Sequence, residues 1–227
     1  MRYQTSRPTP MSARKPVLHR TIHCPVEDPY PYPAVVEPAR AITSIIIAMD
    51  HARVPQAEAV LVTDRLLLRP WRVSDAAVQR ELWTERDPRV PPHRRIGPDG
   101  HPSLEDLEDR IRHDDRHPSP GLLAAEQMSS GQVIGYCGLI PNGNGCAEEP
   151  ELAFEFLRKT WRQGFATEAS WAILERAQAS GYRRLWATVR DWNTASRRVL
   201  DKLGFVETGQ VEPDAVHGDS LFTTRTL

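Results

Sequence analysis

Residues 151–156, Glu-Leu-Ala-Phe-Glu-Phe, alternate strictly, with Leu152, Phe154 and Phe156 on one face and Glu151, Ala153 and Glu155 on the other. After a short turn, Gly164 opens a helical pattern that places Ala166, Ala169, Ile173 and Ala177 on one side and ends at Gly181. The switch from period 2 to period 3.6 across one glycine marks a half-buried strand running directly into a helix N-terminus. Such a joint narrows both fold and chemistry. The first amides of a helix have no intrahelical acceptor, so they are aimed at one spot beyond the strand end. A glycine there lets a phosphate approach the backbone, and the helix dipole favours its charge. No Gly-Lys-Ser/Thr follows, and the three-glycine dinucleotide pattern is missing, so any phosphate must be held mainly by main-chain groups.

The remaining elements fall around this joint. Val60 to Arg69 predicts a strand pair or one bent strand closed by Pro70, and Ser74 is expected to cap a helix that runs to Trp83. Ser103 caps a second helix whose stripe is Leu104, Leu107 and Ile111. Leu122–Gln127 and Val133–Ile140 flank a Ser-Ser-Gly turn and predict an antiparallel hairpin. Leu185–Val189 reads as a strand, Asn193–Leu203 as a helix stopped by Gly204, and Phe205–Thr208 and Leu221–Thr226 as the last strands. The order is strand, two helices, three strands, helix, strand, helix, two strands. It predicts an α/β (α+β) fold with a mixed, mostly antiparallel central sheet flanked by helices.

Residues 1–58 differ in texture, holding nine of the 20 prolines without periodicity, and predict a poorly ordered extension ahead of one domain over 60–227. Met49 offers an alternative start to the chain. With 29 basic and 30 acidic residues, the chain has no electrostatic case for nucleic acid or an anionic membrane. Its longest apolar run, residues 45–49, falls far short of the roughly 20 residues needed to span a bilayer. Cys24, Cys137 and Cys146 are too scattered for a disulfide framework or a zinc knuckle, which suits the reducing cytoplasm. His93, His101, His113 and His117 have no repeated ligand spacing, so no metal is expected. Cys137, within a strand pattern, reads as a small core residue.

A second segment joins the first. Asn193 stands at a helix N-cap with Ser196 one turn inside, and Lys202-Leu-Gly-Phe205 follows. Together with Trp161-Arg-Gln-Gly-Phe-Ala-Thr-Glu-Ala169, this resembles the acyl-CoA core of the GNAT N-acetyltransferase superfamily, in the branch of ribosomal-protein alanine N-acetyltransferases. Ile134-Gly-Tyr-Cys-Gly138 and Thr63-Asp-Arg-Leu-Leu-Leu-Arg-Pro70 are similar to that branch as well. Trp161 departs from the Arg or Gln usual at its position, which removes a side chain but not the amides.

The resemblance implies the GNAT fold, acetyl-CoA as cosubstrate without metal, and an amine acceptor, either a small molecule or a protein N-terminus. A monomer or homodimer is implied too. It places the Phe156 amide at the thioester carbonyl, Arg158 near the pantetheine, and Arg162, Gln163, Gly164, Phe165, Ala166 and Thr167 around the pyrophosphate. Asn193 would bond the pantetheine and Ser196 would donate to the sulfur. Acyl transfer needs a neutral amine, and Glu151, Glu155 or water is left to take its proton. Tyr136 either lines the acceptor side or packs, and Arg197 or Arg198 can reach a phosphate. The weakly patterned stretch 84–120 is expected to choose the acceptor. The alternatives are a GNAT-fold module that binds acyl-CoA without turnover, and a nucleotide-binding loop that lacks the usual Lys and Mg²⁺ ligands.

Overall fold

The computed structural model describes residues 61–114, 121–142 and 148–227, all within the unit Ala48–Leu227. The proline-rich segment 1–58, Cys24, Cys146 and His117 lie outside the described residues. In chain order the elements are β1 (Leu61–Val62), β2 (Leu66–Arg69), α1 (Ala76–Glu85), α2 (Leu104–Asp114), β3 (Leu122–Gln127), β4 (Gln132–Ile140) and β5 (Glu151–Phe156). They continue with α3 (Phe165–Ala179), β6 (Arg184–Arg190), α4 (Thr194–Lys202), β7 (Val206–Glu212) and β8 (Ser220–Thr226).

The eight strands form one sheet in the order β1-β2-β3-β4-β5-β6-β8-β7. Every neighbouring pair is antiparallel except β5 and β6, which are joined by the α3 crossover and run parallel. That pair touches in register only at Glu151↔Trp186. Beyond it the two strands part, which opens the sheet at its centre beside the N-terminus of α3. The mixed, mostly antiparallel architecture matches the sequence reading.

The core explains why each element lies where it does. Ala169, Ile173 and Ala177 of α3 are buried against Leu66, Leu68, Ile134, Cys137, Leu152 and Phe156, with Ala166 at the margin. This is the stripe expected from the sequence. Burying a Leu or Phe side chain contributes about 1.5–3 kcal/mol, so these contacts hold α3 to the sheet. Leu107 and Ile111 of α2 form a smaller core with Ala76, packed on by Trp71 and Val73.

Three local expectations are corrected. Leu104 remains 43% exposed, because the first turn of α2 projects past that small core. Ser74 does not cap α1; a 3₁₀ turn spans Val73–Asp75, and the Asp75 carboxylate accepts from the Arg72 amide at 2.8 Å. Asp75 also binds buried Arg69 at 2.7 Å, and Arg69 pairs with Glu126 at 2.7 Å, so its charge outranks a hydroxyl as the local anchor. The strand read at Phe205–Thr208 is longer, Val206–Glu212, and carries an irregularity between Glu207 and Val211 that the period-2 pattern hides. Ser103, in contrast, caps α2 as expected: its hydroxyl accepts from the Asp106 amide at 3.2 Å and its own amide donates to Asp106 at 2.7 Å.

Candidate functional site

The parting of β5 from β6 determines which main-chain groups are free. The Leu157 amide donates to the Ile134 carbonyl on β4 at 2.9 Å. By strand alternation the Phe154 and Phe156 amides therefore face β6, where pairing has ended. The sequence pointed to Phe156; Phe154 is a second amide of the same kind. At the apex of the opening, Glu151 reaches across to β6, where the Thr188 amide donates to Oε1 at 3.0 Å and the Thr188 hydroxyl to Oε2 at 3.2 Å. The carboxylate thus replaces the first missing rung of the ladder.

At the open end, a 3₁₀ turn (Arg158–Thr160) leads to Arg162, at φ 62°, and Gly164, at φ 86°. The left-handed conformation costs a non-glycine residue energy and is uncommon, so Arg162 marks a turn whose shape the surroundings enforce. Glu168 N to Gly164 O, at 3.0 Å, is the first helical bond of α3, so the Phe165, Ala166 and Thr167 amides precede it and lack i−4 acceptors. Trp161, Arg162, Gln163 and Gly164 are exposed. Phe165 is buried, so only its main chain can serve a ligand. These free amides and the glycine fit the diphosphate end of a CoA ester.

The turn is braced by residues whose role the sequence reading did not identify. Glu168, in the first turn of α3, accepts from the Thr63 hydroxyl at 2.6 Å and from the Arg65 amide at 2.9 Å and side-chain Nε at 2.7 Å. Arg65 also donates to the Gln163 carbonyl at 3.0 Å and lies over the Phe165 ring at 4.4 Å. Burial opposes ionisation of Glu168, but the hydrogen bonds from Thr63 and Arg65 outweigh it and hold its pKa below the ordinary value. The available signal was a lone carboxylate in the first turn of a helix that begins at a ligand loop.

Two residues at the turn are engaged within the protein. The Arg158 amide donates to Glu85 Oε2 at 2.7 Å and its guanidinium to the Glu85 carbonyl, so the residue expected near the pantetheine is turned to the end of α1. The Phe156 carbonyl is also engaged, accepting from the Trp161 indole at 2.7 Å. Trp161 thus contributes a donor of its own where Arg or Gln was the usual residue.

Across the opening, Asn193 Oδ1 accepts from the Ser196 amide at 3.1 Å, confirming the N-cap of α4. The side-chain NH₂ has no bond among the described residues and is left for another partner. The half-buried Ser196 hydroxyl has no bond among the described residues. Arg197 is occupied by Glu207 at 2.9 Å and by the Asp191 carbonyl, while Arg198 is exposed.

The face of β5 turned away from α3, which also bears Glu151, carries Glu155. Its carboxylate accepts from Arg86 Nη2 at 2.6 Å and Nε at 2.9 Å, and from the Tyr136 hydroxyl at 2.9 Å. Burial opposes the charge of Arg86, but the bonds and charge of Glu155 keep its pKa above the usual guanidinium value. Burial, reinforced by Glu155, pushes the Tyr136 phenol upward, so Tyr136 stays a neutral donor. Glu155 is thus held by Arg86 and Tyr136, and Glu151 by Thr188 alone among the described residues. Cys137 is fully buried beside the Ser170 hydroxyl at 3.5 Å, and burial pushes its thiol to about 12, so it packs as expected. Among the described residues no His, Cys, Asp and Glu cluster can hold a metal ion, and no helix is long and apolar enough to cross a membrane.

The chain is similar to several known proteins. An uncharacterized N-acetyltransferase, p20 of Bacillus licheniformis, is 30% identical over 153 residues, covering 66% of this chain and 83% of its own. A putative GNAT-family acetyltransferase from Bordetella pertussis superposes with a TM-score of 0.59 at 24% identity, over 73% of this chain and 98% of that one. Mycobacterium smegmatis RimJ, solved in complex with CoA-disulfide, superposes with a TM-score of 0.54 at 24% identity, over 74% and 86% of the two chains. The acetyltransferase (GNAT) domain family itself matches residues 65–206, which include the parted strands and the glycine turn. The chain belongs to the GNAT acetyltransferases, the family that takes its acetyl group from acetyl-CoA.

Proposed function

We propose that the protein is an acetyl-CoA-dependent N-acetyltransferase that moves the acetyl group to a primary amine by direct attack on the thioester. The observation that carries this reading is the pair of β5 amides, Phe154 and Phe156, left facing the gap beside the Gly164 turn. An amide N–H aimed where negative charge develops lowers the barrier to acyl transfer. Either amide can donate to the thioester oxygen as the amine nitrogen bonds to the carbonyl carbon. Gln163, Gly164, Ala166 and Thr167 supply main-chain donors for the pyrophosphate, with Arg162 and Arg198 as exposed cations in reach of phosphate charge.

When the carbon–sulfur bond breaks, the Ser196 hydroxyl donates to the departing thiolate, and the amine proton leaves through Glu151, Glu155 or water to end on the thiol. Holding the two reactants together supplies much of the remaining advantage. The deciding experiment is a thiol-release assay with acetyl-CoA against a broad amine library. Turnover with at least one amine supports the reading. CoA binding without acetylation of any amine favours a non-catalytic acyl-CoA module instead.

A further inference from the structure

Arg86 joins the β5 face to a second cavity. While its guanidinium holds Glu155, it lies 4.3 Å over the Trp83 ring and donates to the Arg94 carbonyl at 2.7 Å. Trp83 in turn forms one wall of an open cleft of about 750 Å³ between α1, α2 and residues 92–102. The space is therefore linked to Glu155 through two side chains, Arg86 and Trp83.

The charged groups lining this cleft are unequally satisfied. Asp99 accepts from the His101 amide at 3.1 Å, Asp106 from the Ser103 amide and the His101 ring, and Asp109 from Arg112 at 2.5 Å. Each carboxylate is already supplied with donors by the protein. Among the described residues, the two lining guanidinium groups are not supplied with acceptors. Arg110 has only the Trp83 ring, 5.7 Å away, and Arg95 has no side-chain partner among the described residues. Arg95 Nε is moreover buried without an acceptor, the single such side-chain atom in the described residues. A buried donor left unpaired costs free energy at half-buried Arg95, and exposed Arg110 brings a second fork of donors to the same cleft. Carboxylate and phosphate match a guanidinium fork in both charge and geometry.

We infer that this cleft binds an anionic group of the acceptor, so that the preferred substrate is an amine bearing a carboxylate or phosphate, with Arg95 and Arg110 as the specificity residues. The inference rests on the acetyl-transfer reading and names its substrate class.

The test uses matched amines and the full chain: ethanolamine against O-phosphoethanolamine, and propylamine against β-alanine. The anionic member of at least one pair should show a kcat/KM about tenfold or more above its neutral partner, in line with a charge-assisted bidentate contact. Arg95→Gln should shrink that ratio to within about twofold, and Arg95→Lys, which keeps the charge but loses the fork, should fall between. Thermal midpoints close to wild type show that the variants fold. Equal or reversed preference in the wild type overturns the inference, as does a ratio unchanged in both Arg95→Gln and Arg110→Gln. Should no amine be acetylated, calorimetric titration with O-phosphoethanolamine separates the two readings. Binding that Arg95→Gln weakens preserves the cleft assignment and removes only the transfer reaction; no binding removes the cleft assignment itself.

Discussion

The two walls of the site are built from different materials. On the β5–α3 side, the groups proposed to hold ligand are main-chain amides presented by Phe154, Phe156 and the turn at Gly164, with side chains such as Arg65 and Glu168 bracing them from behind. On the α1–α2 side, the groups are side chains, Arg86, Tyr136 and Glu155, held by one another across the chain. A wall of amides offers the same donors whatever its side chains are, which suits a donor ligand common to a whole family. A wall of side chains changes with each substitution, which suits an acceptor that differs from one member to the next.

The largest expected effect breaks the main-chain wall. Gly164→Val places a branched residue at φ 86°, and calorimetry should show CoA affinity reduced by about a hundredfold or more as the amides turn away. Unchanged affinity in a folded variant would remove the turn from the ligand site.

The side-chain wall should respond in stability instead. Glu155→Gln leaves the Arg86 guanidinium, 10% exposed, without its counter-charge, and urea unfolding should show a loss of about 2 kcal/mol. Glu151→Gln, which disturbs only the bonds from Thr188, should cost less than about 1 kcal/mol. If Glu151 is the base, its rate defect should be greatest near neutral pH and partly recover as more amine becomes free. Equal stability losses in the two variants would erase the contrast between these carboxylates.

Across the opening, Ser196→Ala should lower kcat by about tenfold to a hundredfold with little change in acetyl-CoA affinity, because its bond strengthens only as charge reaches sulfur. A pH–rate profile identical to wild type, with kcat intact, leaves amides and proximity as the catalytic apparatus.

The smallest effect tests the brace behind the turn. Glu168→Gln should weaken CoA binding by about fivefold through loosening of Gln163 and Gly164, the loss of a charge-assisted bond or two at one remove. Its pH signature is specific. Because the folded pKa of Glu168 lies below the ordinary 4.5, its stabilisation is complete above that value and is lost as pH falls through the folded one. Thermal midpoints of wild type and Glu168→Gln should therefore differ at pH 7 and converge in strong acid; a constant gap would assign the effect to shape alone.

Much of the amide wall is legible in the sequence. Period-2 alternation in 151–156, a glycine, and a helical stripe after it are local signals, and local signals survive in one dimension. The same holds for Asn193 as an N-cap and for Cys137 as a core residue. Leu104 and Ser74 depart from the local pattern because periodicity and capping preference describe an isolated helix, whereas the extent of the small α2 core and the charge of Arg69 decide those ends.

What the chain order alone determined was the sequence of elements, the position of the turn and the apolar faces that pack α3 on the sheet. Tertiary structure decided where β5 and β6 part, that Arg158 turns to Glu85, and which distant partners hold each carboxylate: Arg86 for Glu155, Thr188 for Glu151, Arg65 for Glu168. The reason is physical. Propensity, periodicity and capping act within a turn or two of chain. An ion pair is worth its energy only when folding has brought two charges from far apart in the sequence to hydrogen-bonding distance and removed the water between them.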